Sequence, residues 1–140
     1  MLTKERSVFR NNGAILFLVA VLLGCLMLFS GGADAATEGD WEYSVDGNEA
    51  TITGYSGSGG AVVIPSTLGG NTVVTIGYEA LSSNDSITSV SIPSGVKTIG
   101  DNAFSDSKNI ATVSIPDTVT SIGAWAFGST SISTFTSVRM

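Results

Sequence analysis

The sequence predicts a mostly β chain: a short right-handed solenoid built on a parallel β-stack and preceded by an N-terminal β-hairpin cap. Three observations carry this expectation. The run from Ile92-Pro93 through Val96 and Ile99-Gly100 to Ala103-Phe104 returns, 23 residues later, as Ile115-Pro116 through Val119 and Ile122-Gly123 to Ala126-Phe127. Ser, Thr, Gly and β-branched residues dominate after residue 36, a composition for strands and tight turns. The repeated apolar positions are too few for one copy to bury, so they demand stacked copies with continuous ladders.

Residues 1–35 read as an address rather than as fold. Lys4, Arg6 and Arg10 precede an uncharged apolar run from Ala14 to Phe29, and Ala33 and Ala35 fit an A-x-A cleavage site. The segment is therefore expected to be a signal peptide, with an uncleaved N-terminal membrane anchor as the alternative. Either way the remainder is exported, to the cell surface or the extracellular space. Cys25, the one cysteine, falls inside the apolar run. After cleavage the chain would hold no disulfide, thiolate metal site or cysteine nucleophile.

Residues 36–60 form the cap and its link. Trp41-Glu42-Tyr43-Ser44-Val45 and Ala50-Thr51-Ile52-Thr53 alternate in polarity around the turn signal Asp46-Gly47-Asn48, which predicts a hairpin. Gly54 to Gly60, rich in Gly and Ser, reads as a flexible linker.

Residues 61–140 hold about three repeats and a partial fourth. Val113-Ser114-Ile115 alternates as a half-buried strand does, and the proline after it, lacking an N–H, ends the strand. The glycines after Ile76, Ile99 and Ile122 mark a bend that needs positive φ or close backbone approach. Leu81, Phe104 and Phe127 share a register and should stack as a spine. The copy from Ile64 to Leu81 is longer, and its extra residues at Leu68-Gly69-Gly70-Asn71 read as an expanded turn. The last copy begins at Ile132 and decays at Ser137-Val138 without a polar cap.

Several function classes fall away on composition. The sequence has no histidine, which removes serine triads, histidine-ligated zinc and the usual near-neutral base. Residues 36–140 set Lys97, Lys108 and Arg139 against ten acids, a formal charge of −7. Nothing there neutralises phosphates, so nucleic acid is not an expected partner. The acids are scattered over turns and the cap, and no phosphate-cradling glycine motif is present. No catalytic residue, cofactor or metal is expected.

The pattern N-x-x-x-V-x-I-P-x-x-V-x-x-I-G-x-x-A-F closely resembles the BspA-like, or treponemal-type, leucine-rich repeat, over roughly Trp41 to Phe135. The period of 23 lies within the range of leucine-rich repeats. The resemblance implies a leucine-rich-repeat solenoid in a cell-surface protein with a role in adhesion or protein binding, and no catalytic residue. The family often has Cys or Asn three residues after the Phe; Asn84, Ser107 and Thr130 stand there as small hydrogen-bonding substitutes.

The candidate binding face is a pair of hydroxyl columns. The period aligns Ser89, Thr112 and Thr134 in one and Ser91, Ser114 and Thr136 in the next, all pointing outward from the strands. A protein or glycan ligand, ordered water, or no ligand at all are the readings open to such a face. Tyr78 and Trp125 occupy matching or neighbouring turn positions and are candidate aromatic contacts for a sugar, although packing over the spine is the favoured arrangement. Asp85 and Lys108 share a column and are expected to pair between coils. Two overall readings follow: a surface binding module, or a truncated structural unit without a ligand. In both, the uncapped last coil is a candidate for end-to-end self-association, and a membrane is met only through an uncleaved N-terminal segment.

Overall fold

The computed structural model describes residues 35–138; residues 1–34 of the expected leader, with Cys25, lie outside them, and its last residue, Ala35, opens the first strand. Eleven strands and no helix make up the described residues. β1 (Ala35–Glu38), β2 (Trp41–Asp46) and β3 (Glu49–Tyr55) form the cap. β4 (Gly60–Val63), β5 (Thr67–Leu68) and β6 (Asn71–Ile76) build the first coil, β7 (Ile87–Ser91) and β8 (Thr98–Ile99) the second, β9 (Thr112–Pro116) and β10 (Ser121–Ile122) the third, and β11 (Thr134–Val138) opens a fourth.

The cap is a three-stranded antiparallel meander, since β1 pairs with β2 as well as β2 with β3. Gly39 and Gly47 take the left-handed φ of 59° and 61° that their tight turns require. Gly54 to Gly60 is tied down at both ends rather than free. Ser56 N–H donates to the Asp40 carbonyl at 2.9 Å, and Gly60 N–H to that of Ser86 at 2.8 Å.

Each coil contributes to two parallel ladders. The strands carrying the Val-x-Ile pattern form a four-stranded sheet in the order β11-β9-β7-β4, and those carrying Ile-Gly join the cap in a larger sheet, β1-β2-β3-β6-β8-β10. The cap is thus continuous with the coils through the parallel pairing of β3 with β6. The expanded turn is a small hairpin: β5 and β6 pair antiparallel around Gly69 and Gly70, at φ 56° and 78°.

The third side has no strand, yet it too is bonded coil to coil. Leu81 N–H donates to the Ala103 carbonyl, Phe104 N–H to Ala126 and Asp106 N–H to Gly128, each at 2.8 Å. Two residues per coil take left-handed φ here, in register: Glu79, Asn102 and Trp125 at one place, and Ser83, Asp106 and Ser129 four residues on. The glycines before them do not. At Gly77, Gly100 and Gly123 the reason for glycine is close approach: a Cβ on Gly77 would stand 2.6 Å from the Ile52 carbonyl oxygen, and one on Gly123 2.4 Å from the Asp101 nitrogen.

The interior is a set of apolar ladders. Ile87, Val90, Ile92, Val96, Ile99, Ala103 and Phe104 of the second coil are all buried, and Phe104 stacks on Phe127 with ring centroids 5.1 Å apart and planes 3° from parallel. Burial weakens in the third coil. Ile115, Val119 and Phe127 are half-buried, and Ile122, on the last strand of the larger sheet, is 51 % exposed. Phe135 of β11 is 60 % exposed, with its ring edge against Phe127.

Polar groups inside this stack are few and satisfied. Ser107 is fully buried; its Oγ donates to the Leu81 carbonyl at 2.8 Å and accepts from Asn84 N–H at 3.0 Å, bridging two coils. Ser107→Ala should cost about 1–3 kcal/mol, because a backbone donor and acceptor would remain buried without partners. Urea unfolding followed by circular dichroism checks this; a midpoint equal to that of the parent protein would contradict it. Asp85 also links coils, but its carboxylate accepts from the backbone N–H of Lys108 at 2.9 Å rather than from the ammonium.

Candidate ligand-binding faces

The outward positions of the four-stranded sheet come from alternation. In β7 and β9, Val90 and Val113 point into the core, so the residues on either side point out. The ladder places Ser89 opposite Thr112 and Thr112 opposite Thr134, and in the next column Ser91 opposite Ser114 and Ser114 opposite Thr136. All six candidate residues therefore share one face. Steps between coils are about 4.8 Å and the columns about 7 Å apart. Ser91, Thr112, Thr134 and Thr136 are exposed, while Ser89 and Ser114 are half-buried. Ala61 and Val63 of β4 extend the two columns and end the run of hydroxyls. The last step spans 22 residues rather than 23, because the turn before β11 is one residue shorter. No charged side chain lies in either column.

A second hydroxyl column runs on the larger sheet: Thr51 pairs with Thr75, Thr75 with Thr98, and Thr98 with Ser121. Three of its members stand at the repeat interval, although the sequence expectation did not single them out; Thr51 joins only because the cap strand β3 docks parallel to β6. Beside this column lies an open groove of about 560 Å³, lined in part by Glu49, Thr72, Val74, Lys97 and Thr120.

Tyr78 and Trp125 do not pack over the spine, contrary to the sequence expectation. They are 66 % and 77 % exposed. Trp125 has φ 56°, in register with Glu79 and Asn102; in this conformation the spine is covered by its neighbours Ala126 and Phe127, not by the indole. Tyr78 is one position earlier in its coil. Its phenol pKa is pushed up, chiefly by the neighbouring Glu79 carboxylate. Among the described residues no three His, Cys, Asp or Glu side chains converge as metal ligands.

The family model for the BspA type leucine rich repeat region matches residues 64–138, in 6 copies. The chain belongs to the BspA-type leucine-rich-repeat family. Solved structures share the architecture of this BspA-type chain. A leucine rich cell surface protein from Faecalibacterium prausnitzii superposes with a TM-score of 0.65 at 32 % identity, covering 78 % of this chain and 31 % of that one. A leucine-rich repeat protein from Bacteroides capillosus gives 0.56 at 19 % identity, covering 75 % of this chain and 99 % of its own. One from Bacteroides ovatus gives 0.56 at 22 % identity, covering 73 % and 37 %. No curated protein matches the chain. The BspA-type chain thus spans less than a third of the Faecalibacterium protein, and the low-identity matches establish the fold alone.

Proposed function

We propose that this chain is a non-catalytic module of a bacterial cell-surface protein that binds a protein partner through the outer face of its four-stranded sheet. The observation that carries the reading is the pair of in-register hydroxyl columns, neither of which holds a charged side chain. Such a face offers donors and acceptors at fixed spacing, and a partner needs no ion pairs to be desolvated there. The cell-surface placement draws support from the Faecalibacterium relative, described as a leucine rich cell surface protein.

The test is a screen of the full chain against immobilised extracellular-matrix proteins, repeated with a double variant, Thr112→Glu and Ser114→Glu. Burying two new carboxylates at the centre of the face should weaken any partner bound there at least tenfold, about 1.4 kcal/mol. Thr120→Glu, at an exposed position just before β10 of the other sheet, should leave that binding intact. Equal binding by the double variant and the parent would remove the sheet face as the site.

A further inference from the structure

We propose a second site on a different surface: the turn corner carrying Tyr78 and Trp125 binds a neutral oligosaccharide, the two rings stacking on sugars and Asn102 and Asp101 between them meeting sugar hydroxyls.

Exposure comes first. Among the other aromatic side chains of the described residues, Tyr43 and Phe104 are buried and Trp41, Tyr55 and Phe127 half-buried, while Phe135 lies with its edge against Phe127. Of the described aromatic residues, Tyr78 and Trp125 alone stand out on the turn side, neither serving the core.

Backbone conformation sharpens the case for Trp125. A side chain with a Cβ pays roughly 1–2 kcal/mol to adopt left-handed φ, and Asn tolerates it best. The second coil places Asn102 there, but the third places an indole at φ 56°. Its exposure means that little burial offsets the cost. The left-handed φ itself belongs to the coil, since Glu79 and Asn102 share it in register; what sets the third coil apart is a large ring placed at that position and left in solvent.

The arrangement then selects the ligand. Tyr78 belongs to the first coil and Trp125 to the third, so their attachment points are about 10 Å apart along the stack, two steps of roughly 4.8 Å. Asp101 and Asn102 of the second coil occupy the interval, Asp101 with one carboxylate oxygen accepting from Ala124 N–H at 2.7 Å and the other left for a sugar hydroxyl. Ring, hydrogen-bonding groups, ring is the complement of a short sugar chain, which presents apolar C–H faces and polar rims in alternation. A protein hot spot instead requires a contiguous desolvated pocket, which two rings separated by polar side chains do not make. Glu79 and Asp101 at the corner, on a chain of formal charge −6, repel anionic polysaccharides and leave neutral ones.

Titration calorimetry of the full chain with maltohexaose, cellohexaose and N-acetylchitohexaose, with heparin as the anionic control, tests the site. Saturable binding of at least one neutral hexasaccharide is expected, weakened about tenfold by Tyr78→Ala and by Trp125→Asn and lost in the combined variant. Trp125→Asn relieves the left-handed strain, so it should melt no lower than the parent while binding more weakly, a pair of results that misfolding cannot produce. The Thr112→Glu/Ser114→Glu variant should bind the sugar as the parent does, which separates this site from the sheet face. Binding of heparin alone, no binding of any neutral hexasaccharide at millimolar concentration, or unchanged affinity in Trp125→Asn would each overturn the assignment.

Discussion

Phe104→Ala is expected to cost about 3–5 kcal/mol, a large share of the stability of a domain this small. Phe104 is fully buried in the middle coil, with Phe127 stacked on one side and Leu81 in register on the other. Neighbouring turns cannot close over the missing ring, because their spacing is fixed by the inter-coil hydrogen bonds of Leu81 and Phe104 themselves. In a solenoid each unit touches only its neighbours, so weakening the central coil loosens both interfaces at once. Thermal melting by circular dichroism should show a fall of roughly 20 °C. Phe127→Ala, half-buried, should fall less. A shift under about 5 °C for Phe104→Ala would show that the aromatic spine is dispensable.

Gly100→Ala should cost about 1–3 kcal/mol despite adding a single methyl group. The new Cβ would lie 2.9 Å from the Gly77 carbonyl carbon and 3.0 Å from both the Ile76 oxygen and the Tyr78 nitrogen. All three are backbone atoms, and Gly100 N–H is bonded to that same Ile76 oxygen at 2.7 Å, so the coils would have to separate where they are joined most tightly. Gly54→Ala is the control. Its Cβ would first meet the Glu42 carboxylate, which can swing into solvent, and then the Glu42 Cβ at 3.3 Å, which needs a shift of only a few tenths of an ångström, so the change should stay under about 1 kcal/mol. Equal urea midpoints for the two variants would refute the close-approach reading of the Gly77, Gly100 and Gly123 column.

Much of this architecture was legible in the sequence, for a physical reason: stacking converts a repeat interval directly into spatial register. Knowing that Ser89 and Thr112 are 23 residues apart suffices to place them side by side, and the same holds for the Leu81, Phe104 and Phe127 spine. What repetition does not encode was missed. β1 carries the sequence Ala-Ala-Thr-Glu, too short and featureless to signal a strand, and its pairing depends on the β2 edge beside it. The parallel docking of β3 on β6 is a tertiary choice that drew Thr51 into the second hydroxyl column. The bend glycines were open to two explanations in the sequence. The left-handed residues proved to lie two positions later, at Glu79, Asn102 and Trp125, where no glycine advertises them. That displacement also explains why Trp125, an apolar residue beside an Ala-Phe pair, faces solvent.

The hydrogen-bond ladders have a mechanical consequence. In both sheets and along the turn side, the bonds between coils run along the stacking axis, with the cap at one end and β11 at the other. Tension applied between those ends loads each ladder in line with its bonds, so they yield rung by rung, not all together in shear. One coil occupies about 4.8 Å of the stack, but its 23 residues, once drawn straight, reach roughly 80 Å. Coils that contact only their neighbours can peel away singly while the rest hold. Pulled from its two ends, a module of this kind is expected to release length in steps of one repeat before the whole domain is lost.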